Sequence, residues 1–165
     1  MFDIQLFGQL EVRTRGECLA GDDFGGDRPR HLFALLALRG EASMSELAEL
    51  FRTTPKAIES DLAVLRQHLE PGVTARDSVV VTHRNHVALD QDRVRVDAAR
   101  FDELITAAAG RPANRAVKPL TAAAYLASRP LLEDVDEPWA AEARAEYRAK
   151  LVLSEQRTGD VTHLK

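Results

Sequence analysis

Two short segments of the sequence carry cationic and polar side chains at a spacing that suits the binding of a polyanion. In residues 55–69 the apolar side chains recur on one helical face and leave an outer face of Lys56, Glu59, Ser60, Ala63, Arg66 and Gln67. A polar turn follows, with His83 and Arg84. Lysine and arginine neutralise phosphates, and a glutamate accepts a hydrogen bond from a cytosine amino group. The pattern predicts a nucleic-acid contact, to which Arg28 and Arg30 add nearby positive charge.

Other chemistry-bearing residues do not form a recognisable catalytic or metal-binding motif. His83 and His86 flank the polar turn, but no third ligand is evident, so we interpret them as surface residues or phosphate donors. Cys18 is the single cysteine and has no partner motif. The sequence contains no glycine-rich phosphate loop, no His-Glu-x-x-His and no nucleophile elbow. We therefore expect no enzyme, no cofactor and no metal site.

The elements that must position the two segments come in the order strands, three helices and a hairpin. Alternating apolar residues within 1–14 predict one or two strands. A leucine-rich run over 31–38 predicts the first helix, and Ser43 with Glu46 forms a capping box that begins the second. Pro55 opens the third helix, of about residues 55–70, and two short apolar strands, within 79–82 and 87–89, enclose the polar turn.

This order is typical of a winged helix-turn-helix, an α+β fold, which we assign to residues 1–95. In that fold two helices brace a third, whose outer face enters the major groove while the hairpin reaches the backbone. A small α+β domain without a DNA role fits the same pattern.

From residue 96 onward the sequence is patterned as helices separated by proline-containing connectors. Phe101 and Leu104 mark one helix, residues 120–126 mark a second, and Pro138 opens a third. The pattern predicts an all-α helical-repeat segment, tetratricopeptide-like, over residues 96–165. Trp139 and Tyr147, at helical spacing, are predicted core residues, with a pocket lining as the alternative. The acidic connector 133–137 is predicted to be a solvated loop.

The charge of the chain restricts any nucleic-acid surface to a local patch. The formal net charge is −4, whereas a nucleic-acid-binding domain is usually basic. Residues 1–96 hold 12 basic and 15 acidic residues, and residues 97–165 hold 10 and 11, so neither half is basic. The sequence also lacks an apolar run long enough for a membrane span, and one cysteine fits a reducing compartment. We therefore expect a cytoplasmic protein without a membrane partner.

Several motifs resemble the Streptomyces antibiotic regulatory proteins, which combine an OmpR-type winged helix with a bacterial transcriptional activator domain. The opening residues 4–12, the basic run 28–30 before the leucine-rich helix, and the segment 65–69 resemble the winged-helix part. Residues 96–104 look like the junction that opens the activator domain, and residues 129–132 followed by 138–140 look like its connector and third helix. The similarity runs through nearly the whole chain in order.

The resemblance implies an actinobacterial transcription regulator that binds double-stranded DNA, often as a homodimer on direct repeats, and that recruits RNA polymerase. Three features depart from the family pattern. The third helix carries Glu59 and Asp61 where the family has arginines. The turn that holds the polymerase-contacting loop is reduced to Arg52–Thr54, and the activator domain stops after three helices. We therefore expect a truncated or minimal member of the family.

The function expected from the sequence is thus that of a DNA-binding transcriptional regulator, with the third helix in the major groove and the hairpin wing on the backbone. One alternative is a protein-interaction module in which a degenerate winged helix no longer reads DNA. The other is a small-molecule sensor with a pocket between the two halves.

Overall fold

The computed structural model describes the backbone of residues 1–163 and the side chains up to residue 157, and it divides into two compact units. The first unit contains Met1–Ile4 and Leu10–Arg95, and the second contains Gln5–Gln9 together with the chain from Val96 onward. The last two residues of the predicted helical domain, 164 and 165, lie outside the described residues.

A four-stranded sheet opens the first unit. Its order is β3-β2-β1-β7, where β1 is Phe2–Gln5, β2 is Glu11–Thr14, β3 is Glu17–Ala20 and β7 is Val94–Val96. Phe2, Ile4 and Val12 are buried, which confirms the strands that alternation predicts within residues 1–14. The hairpin between β2 and β3 pairs Val12 with Leu19.

Three helices and a second sheet complete the first unit in the predicted order. The helices are α1 (Asp27–Arg39), α2 (Met44–Leu50) and α3 (Pro55–Leu69). The sheet has the order β4-β6-β5, with β4 at Glu41–Ser43, β5 at Val80–His83 and β6 at His86–Leu89. Helix α3 packs against α1 and α2 through the fully buried Ile58, Leu62 and Leu65. This is the winged helix-turn-helix arrangement that the sequence predicts.

The second unit is built from the helices α4 (Asp97–Ala109), α5 (Ala113–Leu126) and α6 (Pro138–His163). Helix α5 packs against both α4 and α6. Trp139 is 5% exposed and Tyr147 is 9% exposed, so both are core residues, as predicted. The hydroxyl of Tyr147 donates to Asp102 at 2.7 Å, and Lys150 donates to the same carboxylate at 2.9 Å.

Residues 5–9 pack with the helices rather than with the domain in which the sequence interpretation placed them. The Asp97 carboxylate accepts hydrogen bonds from the backbone N–H groups of Leu6 at 2.8 Å and Phe7 at 3.0 Å. The Phe7 ring makes edge contacts with Phe101 and Tyr147. Burial raises the pKa of Asp97, and the backbone N–H donors act against this rise. The partners of this segment lie about ninety residues further along the chain. The local apolar pattern therefore could not show that the segment belongs to the helical unit.

The acidic connector is more ordered than the predicted solvated loop. Glu133 and Asp136 are exposed as expected, but Val135 is 1% exposed. The guanidinium of Arg144 on α6 donates to the carbonyl oxygens of Leu131 at 2.9 Å, Leu132 at 2.6 Å and Val135 at 2.9 Å. Arg144 thus fixes the backbone of the connector, and the Glu133 carboxylate pairs with the Arg129 guanidinium.

Candidate nucleic-acid interface

Helix α3 begins and is oriented by local signals in the sequence. The Thr54 side chain caps it by accepting a hydrogen bond from the N–H of Ala57 at 3.2 Å, and Pro55 occupies its first turn. Ile58, Leu62, Leu65 and Leu69 are buried along one face, which leaves the opposite face of the helix in solvent.

The exposed face of α3 collects five of the ten predicted contact residues. They recur at helical spacing and are Lys56, Glu59, Ser60, Ala63 and Gln67, all exposed. The Ser60 hydroxyl donates to the carbonyl oxygen of Lys56 at 3.2 Å, so part of its hydrogen-bonding capacity is used within the helix. One cation, one carboxylate and three small or amide side chains form a nearly neutral surface.

Arg66 lies at the side of α3 and bridges to the wing strand β5. Its Nε donates to the carbonyl oxygen of Val80 at 3.0 Å, and a terminal nitrogen donates to the Thr82 hydroxyl. Burial lowers the pKa of Arg66, yet the group stays charged because arginine is not deprotonated in proteins. Both acceptors are neutral, so the positive charge of Arg66 is not cancelled by them. Sequence reasoning placed Arg66 among the groove-facing residues; the structure adds a positioning role, and its contact with DNA stays a prediction.

Glu70, which sequence reasoning missed, fastens the C-terminal end of α3 to the start of the wing. It is 4% exposed, and its carboxylate accepts from the N–H of Val79 at 2.6 Å. The other oxygen accepts from Arg93 at 3.1 Å. Polar residues are common just beyond a helix end, so the sequence alone could not single out Glu70. Its role becomes visible only through its distant partner Arg93.

The acidic residue Asp61 does not share the exposed face of α3 with Glu59. Its carboxylate forms an ion pair with the Arg28 guanidinium on α1, and the Asp61 side chain is only 16% exposed. Arg28 thereby compensates the charge of a carboxylate on α3, the candidate DNA-contacting helix. Arg30 is held against α1, because its guanidinium contacts Asp27 and His31 and its side chain is 13% exposed. Both arginines are thus engaged in ion pairs, and their contact with DNA stays a prediction.

The wing ends in a two-residue turn formed by Arg84 and Asn85. Both residues have positive φ, 45° and 65°, as a type I′ hairpin turn requires. The flanking residues His83 and His86 are paired across the strands, and all four side chains of the turn region are exposed. The carbonyl oxygen of Asn85 accepts from the N–H of Met44 at 2.7 Å. The wing is thus short and its tip is fixed at the first turn of α2.

Within the described residues, no three histidine, cysteine or acidic side chains lie close enough to hold a metal ion. His83 and His86 are neighbours across the wing strands, and no third ligand joins them among the described residues.

The connection between α2 and α3 is short. It consists of residues 51–54, where Arg52 adopts a positive φ of 53°.

In the part of the chain that the structure describes, no helix is both long and apolar enough to cross a membrane.

The chain matches no protein-family model and no curated protein. Among solved structures it is similar to EmbR of Mycobacterium tuberculosis, determined in complex with a low affinity phosphopeptide. The TM-score is 0.73 at 22% sequence identity, and the likeness covers 95% of this chain and 44% of the EmbR chain. At this identity the likeness shows a shared fold, a winged helix followed by helices. The chain spans less than half the length of EmbR.

Proposed function

We propose that this chain is a DNA-binding transcriptional regulator in which α3 enters the major groove and the β5–β6 hairpin contacts the phosphate backbone. The observation that carries the proposal is the exposed polar face of α3, held to the wing by Arg66. A helix reads base edges only when its outer side chains are free of the core and its orientation is fixed. The core face of α3 and the Arg66 bridge supply both conditions.

The local electrostatics support a modest phosphate-binding patch despite the acidic chain. Lys56, Arg66 and Arg84 contribute positive charge on α3 and the wing, whereas Asp61 is compensated by Arg28. Glu59 is the remaining carboxylate on the exposed face of α3, and it suits hydrogen bonding to a cytosine amino group. With about three phosphate contacts, a plot of the logarithm of the binding constant against the logarithm of the salt concentration should have a slope of roughly −3. The proposal is thus for moderate, salt-sensitive affinity.

The finer features of the proposal come from the resemblance to the Streptomyces antibiotic regulatory proteins and from the fold shared with EmbR. By analogy we assign an OmpR-type winged helix, a tetratricopeptide-like helical unit and a location in the cytoplasm. Dimer formation on direct repeats and recruitment of RNA polymerase belong to the same analogy.

The salt dependence of binding tests the proposal. Duplexes are first enriched from a random library on the purified chain, and their affinity is then measured by fluorescence anisotropy over a range of salt concentrations. We expect the Lys56→Ala/Arg84→Asn variant to bind more weakly, with a slope shallower by about 2. Asparagine is chosen for position 84 because it tolerates the positive φ of the wing turn.

A matched control removes an exposed arginine from the helical unit. Arg148→Ala on α6 should leave affinity and slope unchanged, since Arg148 is exposed on a different unit. If the wild-type slope is near zero, or if the α3-and-wing variant binds like wild type, the DNA-reading proposal is refuted. A degenerate winged helix that serves as a protein scaffold then becomes the better account.

A further inference from the structure

Helix α5 presents two different stripes along its length. One stripe, which includes Ala116, Leu120 and Ala123, is buried in the helical unit. The second stripe recurs at the same helical spacing on another side of the helix and lines an open groove next to α4. Its members are Asn114, Val117, Lys118, Thr121, Ala122, Tyr125 and Leu126.

The groove is large and has an apolar floor with an aromatic side chain at one end. Its volume is about 810 Å³, and α4 contributes Arg100 and Leu104 to its wall. Tyr125 is 81% exposed, the highest exposure among the large apolar and aromatic side chains of the described residues. Thr121 and Ala122 are small, so they leave room between Lys118 and Tyr125 for a side chain of another molecule.

The charged side chains that line the groove are both cationic. Lys118 and Arg100 line it, and no carboxylate is among the lining residues. Glu103 pairs with Arg100 at 3.2 Å and partly compensates its charge, so Lys118 is the main cation of the groove. The surrounding sequence is consistent, because residues 104–132 contain four basic residues and no acidic one in a chain of net charge −4. Asp102, Glu103 and Glu133 border this stretch, and Arg129 pairs with Glu133. Lys118 is therefore the cation of the stretch that faces the groove and favours an anionic partner there.

We propose that the groove between α4 and α5 binds an acidic peptide segment of another protein, one that inserts an aromatic or long aliphatic side chain beside Tyr125. The apolar side chain fills the space over Thr121 and Ala122, and carboxylates of the segment pair with Lys118 and Arg100. Charge complementarity selects the peptide, and the Tyr125 ring supplies apolar contact area at a small cost in side-chain entropy. This site is independent of the exposed face of α3.

Selection from a random peptide library tests the proposal. Displayed peptides of about 12 residues, long enough to span such a groove, are selected on the full chain and counter-selected on a Lys118→Glu/Tyr125→Ala variant. We expect the enriched peptides to carry net negative charge and at least one large apolar side chain. In fluorescence polarisation, Lys118→Glu and Tyr125→Ala should each weaken binding of a synthetic enriched peptide about tenfold or more.

Arg115→Glu is the matched control, since Arg115 is an exposed cation on the same helix outside the groove lining. It should weaken peptide binding less than about threefold, because an exposed charge beyond the contact is screened. The proposal is overturned if no peptide is enriched, if the enriched peptides are neutral or basic, or if they bind the double variant as well as wild type. It is also overturned if the chain alone sediments as a dimer that Tyr125→Ala converts to a monomer, because a second copy then occupies the groove.

Discussion

Replacing Arg66 separates a phosphate contact from a positioning role. The guanidinium makes two hydrogen bonds to β5, one to the Val80 carbonyl oxygen and one to the Thr82 hydroxyl. A hydrogen bond from a charged donor contributes about 1.5 kcal/mol or more when buried and less when exposed. The first bond is partly buried and the second is exposed, so Arg66→Ala should lower the free energy of unfolding by about 2 kcal/mol.

Arg66→Lys keeps the charge but loses the planar fork that reaches both acceptors. If Arg66 positions the wing, the lysine variant should lose most of the same stability and should bind enriched duplexes more weakly than wild type. Urea unfolding followed by far-ultraviolet circular dichroism measures the first effect, and fluorescence anisotropy measures the second. Lys56→Ala is the control, because Lys56 is exposed and its removal should weaken DNA binding without changing stability. Full stability and full affinity in Arg66→Lys would show that the bridge to β5 has no positioning role.

Three further predictions concern the stability of the two units. Asp97→Ala should destabilise the helical unit by about 2–4 kcal/mol, because the backbone N–H groups of Leu6, Phe7 and Ala98 lose their acceptor. The fluorescence of Trp139 in urea should report this loss, and an unchanged midpoint would contradict it. Burial and Asp102 raise the pKa of Tyr147 above its ordinary value of 10.0. The free energy of unfolding that Tyr147 adds relative to Tyr147→Phe is therefore full below pH 10 and declines above it, by up to about 1.4 kcal/mol one pH unit higher. A constant difference in the free energy of unfolding between the two proteins across that range would count against this prediction. Gly25→Ala should lower the melting temperature far more than Gly21→Ala. Both glycines have positive φ, but only a Cβ at position 25 would lie 2.5 Å from another side chain. Equal losses in melting temperature would show that the packing around position 25 relaxes.

The sequence predicts those parts of the fold whose signals are local. Helix α3 follows from its apolar spacing together with Thr54 and Pro55, and the capping box of Ser43 and Glu46 is formed as predicted. The wing follows from two short apolar runs around a polar turn. In each case neighbouring residues in sequence make the contacts that define the element.

Elements defined by distant partners were not predictable from the same patterns. Strand β4 is only Glu41–Ser43 and contains no β-branched residue, and it becomes a strand because it pairs with β6 more than forty residues later. The exposed face of α3 was predictable from helical spacing. The turning of Arg66 towards β5 and of Asp61 towards Arg28 depends on which helix and strand pack beside α3, and this information lies in the tertiary structure.

The central claim, that α3 reads base edges, is tested most directly by parallel selections of random duplexes on wild type and on Glu59→Gln. Glutamate accepts from cytosine, whereas glutamine pairs with adenine through two hydrogen bonds. We predict one shared sequence motif in which a single position changes from cytosine towards adenine. An identical motif for both proteins, or no enriched motif with wild type, would contradict the placement of α3 in the major groove.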